Sequence, residues 1–268
     1  HRRYRFVSQD QLAEWIITQQ FPDGDYCLLT FDDGLKEQME AFELLESKGI
    51  PAVFYVSTNP IRLKTVLPTH QLHYIRTQLD DRAIYAHLEK NTAITTYPFD
   101  AQLLENQYRY DGFEARRVKY FLNFVLPETE KTVVIGQLFK ALVFDEAAFS
   151  AAWYMNEQDL KRLADAGCLG SHGSAHLPLA TLSPEIAEQD IRDSIQYLEA
   201  IGGKQVISFS YPFGGASAVS KDLKPMLQRA GISFAFTMNR GINTEADLGN
   251  PFFLRRVDTN DEKKKKNP

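Results

Sequence analysis

A chain of 268 residues with 44% apolar and 24% charged side chains has the make-up of a folded globular protein. It is long enough for one large domain or a domain carrying an insertion, and its net charge of −5 offers no basic field to a nucleic-acid backbone. Two cysteines of unrelated spacing, Cys27 and Cys168, indicate neither a disulfide framework nor a cysteine metal site, and no apolar run reaches the roughly 18 residues of a membrane span.

The opening HRRYRFVSQDQL lacks a signal-peptide pattern, so a cytoplasmic location is the corresponding expectation. The first clear unit follows. Tyr26 to Phe31 reads as a short apolar strand ending at Asp32-Asp33-Gly34. Met39, Phe42 and Leu45 then recur at helical spacing until Gly49, and Ala52 to Val56 reads as a second buried strand. Strand, helix, strand implies a parallel pair. Two carboxylates at the mouth of a buried strand lose solvation unless water or a cation reaches them.

Residues 59–150 break this rhythm. EARRVKYFLNFVLP and EKTVVIGQLFKALV read as helices on either side of Pro127, which predicts a mainly helical insertion. Within it, LPTHQLHYI places His70 and His73 three apart on a helix. The alternation resumes at Asn156, an N-cap for EQDLKRLADAG, followed by the strand CLGS. Pro184 opens a helix to about Ile201, VISFSYPFG is a strand running into a turn, KDLKPMLQRAG is a helix, and FAFTM and FFLRRV are strands. The order predicts an α/β fold, either a barrel or a doubly wound sheet, and Lys263–Lys266 reads as a solvated tail.

In such folds ligands collect beyond the carboxyl ends of the strands. Asp32 and Asp33 follow one strand directly, and GSHGSAH follows another. His172 and His176 are four apart, so a helical turn there would project both rings from one face. Alone, Asp-Asp-Gly is most often a capped turn and His-x-x-x-His a hydrogen-bonded surface pair. Together, each after a buried strand, they supply two imidazoles and one carboxylate. Such a set leaves a coordination position for water, the pattern of catalytic metal sites. The second aspartate stays free to accept a proton. Zn²⁺ suits this donor set, with Co²⁺, Ni²⁺ or Fe²⁺ as alternatives.

TFDDG (residues 30–34), SHGSAH (171–176) and SYPFG (210–214) resemble, in that order, the first three motifs of polysaccharide deacetylases, the carbohydrate esterase family 4 or NodB-type domain. The resemblance covers about residues 25–58 and 153–258. It implies a distorted (β/α) barrel of NodB type, here one catalytic domain over 1–268 with the helical insertion at about 59–150. It further implies Asp33, His172 and His176 as metal ligands, Asp32 as general base, and the Phe213 backbone N–H as oxyanion donor. Tyr211 and Phe213 are candidates for packing on a sugar face, with core packing the alternative. The implied activity is metal-dependent hydrolysis of an N-acyl group, foremost N-acetyl, on an amino sugar of a polysaccharide or surface-glycan precursor, so the expected partner is a carbohydrate.

Three departures from the family pattern stand out. Gly173 replaces the usual Ser or Thr, leaving Ser171 or Ser174 to steady the loop. Ser210 stands where an Arg orients the catalytic Asp; Arg256, or else Arg255, is the expected substitute. No histidine follows His176, so the acid that protonates the leaving amine is expected to be His73, or else His70. A non-catalytic carbohydrate-binding protein that keeps the fold, and a metal-dependent esterase or deformylase, are the alternative readings.

Overall fold

The computed structural model describes residues 4–96 and 112–259; Lys263–Lys266 and part of the expected insertion lie outside this range. The chain divides into two compact units, His1–Lys64 with Ser150–Pro268, and Thr65–Phe149. Among the described residues no helix is long and apolar enough to cross a membrane.

The strands of the first unit are β1 (Arg5–Phe6), β2 (Tyr26–Cys27), β3 (Leu29–Phe31), β4 (Ala52–Val56), β5 (Leu169–Ser171), β6 (Ser208–Ser210), β7 (Phe234–Arg240) and β8 (Leu254–Arg256). The last six form one sheet in sequence order, every neighbouring pair parallel. All six carboxyl ends therefore lie along one edge. The run read as a single strand from Tyr26 to Phe31 is instead two, because its halves pair differently: β2 with β1, and β3 with β4.

Successive residues of β4 point to opposite faces of the sheet. On β4, Phe54 and Val56 join a cluster with Leu160, Leu163, Ile191, Ile195 and Leu198, contributed by the helices Glu157–Asp165 and Pro184–Gly202. Val53 and Tyr55 face the other way, with Phe234, Phe236 and Leu254, and are covered by Leu12, Ala13 and Ile16. With both faces covered, β4 is buried at every residue, as a continuous apolar run predicts for a central parallel strand.

The helix Gln9–Thr18 that supplies the second cover was not anticipated from the apolar spacing. Its start is nevertheless written locally: Ser8 accepts the Gln11 N–H while the Gln11 side chain accepts the Ser8 N–H, a reciprocal cap. The same device opens Glu157–Asp165, where Asn156 and Asp159 cap each other as the sequence indicates.

The second unit is helical: Pro68–Gln78, Asp81–Asn91, Phe113–Tyr120 continuing through one π-helical stretch at Phe121–Val125, and Glu128–Leu142 after Pro127. Ile75, Ile84, Leu88, Val118, Ile135 and Phe139 are buried in it. The Arg117 guanidinium lies 3.6 Å from the centre of the Tyr85 ring, a cation–π contact.

Gln9 ties its helix to two strands. Its amide nitrogen donates to the carbonyls of Gly167 (2.8 Å) and Leu169 (3.1 Å), and its oxygen accepts the Ser208 hydroxyl at 2.7 Å. Gln9→Leu keeps the volume and strands these buried groups, a cost of about 2–4 kcal/mol. A urea titration should show a lower midpoint, and an unchanged midpoint would mean the amide is not a structural tie.

Candidate metal centre

Four strands deliver chemistry to the carboxyl edge of the sheet. Asp32 and Asp33 follow β3, His172 follows β5, Ser210 ends β6 and Arg256 ends β8. Parallel strands in sequence order are what bring residues more than 200 positions apart to one place.

Asp33 Oδ1 lies 3.3 Å from Nε2 of His172 and 3.3 Å from Nε2 of His176. One donor atom from each of the three residues falls within 4.8 Å of the others. For an ion bound at about 2.1 Å, the edge of a tetrahedron is about 3.4 Å, so the carboxylate–imidazole spacings fit a divalent cation. His172 is steadied from behind, its Nδ1–H donating to the Ser210 carbonyl oxygen at 2.6 Å; that bond leaves the Nε2 lone pair on the side of Asp33, where it could ligate an ion. The two imidazole rings meet edge to face at 4.9 Å.

The pair of histidines does not sit on a helix. Residues 172–178 form a loop, with φ of +72° at Gly173 and +54° at His176. The turn of the loop, rather than helical spacing, aims both rings at Asp33. Asp33 itself has φ +81° and Phe213 has φ +61°. Of the five non-glycine residues described with positive φ, three are therefore at this site, where surrounding structure must hold an unfavourable backbone in place.

Asp32 faces a different partner. Its carboxylate accepts two hydrogen bonds from Arg256, 2.9 Å from Nη1 to Oδ1 and 2.8 Å from Nη2 to Oδ2. The Ser210 hydroxyl adds a third bond at 3.2 Å, and the Gln38 amide holds the Asp32 backbone carbonyl at 2.6 Å. Burial would raise the Asp32 carboxyl, but the charges of His172 and Arg256 and the hydrogen bonds from Arg256 outweigh it and hold the group below the usual carboxylate range. His172 is affected in the opposite sense: burial would lower it, and the carboxylates of Asp32 and Asp33 raise it above an ordinary imidazole. Arg256 is fixed in turn by its Nε bond to the Thr237 carbonyl at 3.0 Å. Arg255, the alternative, pairs with Asp247 at 2.6 Å instead.

The two aromatic candidates separate. Tyr211 is 1% exposed, packed among Phe209 and Phe253 in the core, and has no face to offer a sugar; the expectation is corrected there. Phe213 is 38% exposed and its ring meets His176 at 4.9 Å. The turn that presents it continues into Gly214 at φ +50°, where a Cβ would stand 2.5 Å from the Met238 nitrogen, so only glycine fits. His70 and His73 lie on the Pro68–Gln78 helix of the second unit, His70 buried and His73 exposed, with ring centres 6.2 Å apart. The Ser210 hydroxyl on Asp32 is a contact that the sequence does not announce; its one signal is its place in the third motif.

A family model described as polysaccharide deacetylase matches residues 127–235, a span that includes the second and third motifs. No curated protein matches the sequence significantly. Among solved structures, the chain is similar to the Streptococcus pyogenes deacetylase PplD in complex with acetate, at 15% identity and a TM-score of 0.56, over 95% of this chain and 73% of that one. IcaB from Ammonifex degensii gives 16% and 0.54 over 97% and 78%, and the BpsB deacetylase domain from Bordetella bronchiseptica 16% and 0.52 over 95% and 78%. The parallel sheet with its flanking helices is thus the NodB-type (β/α) barrel that the motifs implied.

The donor set gives a first test. Titrated with Zn²⁺, the metal-free protein should take up one equivalent and unfold at a higher temperature, and His172→Ala should abolish both effects. Uptake that survives His172→Ala would place the ion elsewhere.

Proposed function

We propose that this chain is a metal-dependent hydrolase that removes an N-acyl group, foremost N-acetyl, from an amino sugar of a polysaccharide or surface-glycan precursor. One observation carries the reading. Asp33, His172 and His176 converge on a common point, while the adjacent Asp32 is held by Arg256 and stays out of that set. Two neighbouring carboxylates with separate partners suit two separate tasks.

A divalent ion held by Asp33, His172 and His176 would supply a Lewis acid for the acyl carbonyl and acidify a water molecule. Asp32 is the base that takes the proton of the attacking water, with its carboxylate oriented by Arg256 and Ser210. Its lowered proton affinity keeps it ionised at neutral pH. The Phe213 backbone N–H donates to the oxygen of the carbonyl under attack as negative charge develops there. The exposed Phe213 ring offers an apolar face to the sugar. His73, with His70 as the alternative, delivers the proton to the departing amine. In this reading the whole chain is one catalytic domain, with the helical stretch inserted between β4 and β5.

Asp32→Asn should lower kcat on an N-acetylated amino-sugar oligomer at least 100-fold, followed as acetate released, while zinc content stays at the wild-type level. Substantial remaining activity would remove Asp32 as the base. A His70→Gln/His73→Gln double variant should lose about 100-fold in kcat if one of these rings is the acid, and near-normal turnover would reject that assignment. A wild-type protein that binds zinc and glycan without releasing acetate would favour the non-catalytic reading.

A further inference from the structure

We propose that Asp190 is a positioning residue that fixes the shape of the His172–His176 loop and so the aim of His176; its bearing on metal affinity rests on the function proposed above. Asp190 sits on the Pro184–Gly202 helix and is 8% exposed. Its two carboxylate oxygens accept two consecutive loop amides, Oδ2 from the Ser174 N–H and Oδ1 from the Ala175 N–H, each at 2.9 Å. Its own backbone carbonyl accepts the Ser174 hydroxyl at 3.0 Å. His176 is the next residue in the chain after Ala175.

The rest of the loop is held from the opposite side. The His172 N–H donates to the Val56 carbonyl (3.0 Å), and the Ser57 hydroxyl donates to the His172 carbonyl (3.0 Å). The N–H groups of Thr58 and Asn59 donate to the carbonyls of Gly173 (3.2 Å) and Ser174 (2.8 Å). The last three of these contacts use the loop's carbonyls. Asp190 supplies the complement, acceptors for its N–H groups, and a carboxylate that bridges two successive amides fixes the peptide plane between them.

Gly173 belongs to the same device. A Cβ at this position would lie 2.6 Å from Asp190 Oδ2, and its φ of +72° is a conformation that side chains resist. The space that a side chain would need at residue 173 is filled by the Asp190 carboxylate. Ser171 and Ser174, expected to steady the loop, both bond within it: the Ser174 hydroxyl through the Asp190 carbonyl, and the Ser171 hydroxyl by accepting the Gly173 N–H at 3.3 Å while it pairs with Ser194 at 2.7 Å.

The test combines zinc affinity, by competition with a chelator, and amide hydrogen exchange in the metal-free protein. Asp190→Asn keeps the volume but offers one acceptor in place of two. It should weaken Zn²⁺ binding 10- to 100-fold and speed exchange at Ser174 and Ala175 at least tenfold, with amides elsewhere on the helix unchanged. Gly173→Ala, which intrudes on the carboxylate, should weaken Zn²⁺ binding in the same direction, and Asp193→Asn on the same helix should match wild type. Should an Asp190→Ala variant not fold, the Asn variant carries the test. Wild-type exchange and wild-type affinity in Asp190→Asn would overturn the assignment. If the wild-type protein itself binds no zinc, the proposed function fails, and the exchange measurement alone decides whether Asp190 holds the loop.

Discussion

The architecture of this site turns on the division of two adjacent aspartates. Like charges about 4 Å apart repel by about 4 kcal/mol at an effective dielectric constant of 20, so both can stay ionised in a half-buried setting only if each has its own counter-charge. Asp32 receives it from Arg256 through two short hydrogen bonds. Asp33 turns the other way, toward His172 and His176. The φ of +81° at Asp33 is the backbone geometry that accompanies this divergence.

Holding such a geometry depends on the sheet. β3, β5, β6 and β8 all end at the same edge, so Asp32, His172, Ser210 and Arg256 are placed by strand ends packed against buried neighbours on both faces. The strained residues, Asp33, His176 and Phe213, each lie two to five positions beyond a strand. That distance lets the backbone turn while the strand anchors it. Of the three, His176 lies farthest from its strand, and its loop is clamped from both sides, by the segment after β4 and by Asp190.

Much of this is legible in the sequence where chemistry directly follows a buried strand. TFDDG, SHGSAH and SYPFG each mark such a point, and the Asn156 cap and the first-turn Pro184 mark where helices of the resumed alternation begin. What could not be read depends on partners rather than on local pattern. The Tyr26–Phe31 run divides because its halves pair with different strands. Tyr211 enters the core while Phe213 reaches the surface because the turn at Phe213 and Gly214 redirects the chain. The His-x-x-x-His spacing fits a helix equally well, and the positive φ of Gly173 and His176 sets the loop instead. The Ser8–Gln11 cap opens a helix whose apolar stripe, Leu12, Ala13 and Ile16, is short and carries a weak helical period. A contact such as Asp190 with Ser174 and Ala175 joins residues about 15 apart through a helix whose rotation no spacing rule specifies.

The central claim is that one carboxylate and two imidazoles converge on a single divalent ion. X-ray absorption at the zinc edge on protein loaded with one equivalent of Zn²⁺ tests it most directly. The account predicts a first shell of nitrogen and oxygen donors at about 2.0–2.2 Å, with outer-shell scattering from two imidazoles. A shell without imidazole scattering, or one containing sulfur from Cys27 or Cys168, would contradict it.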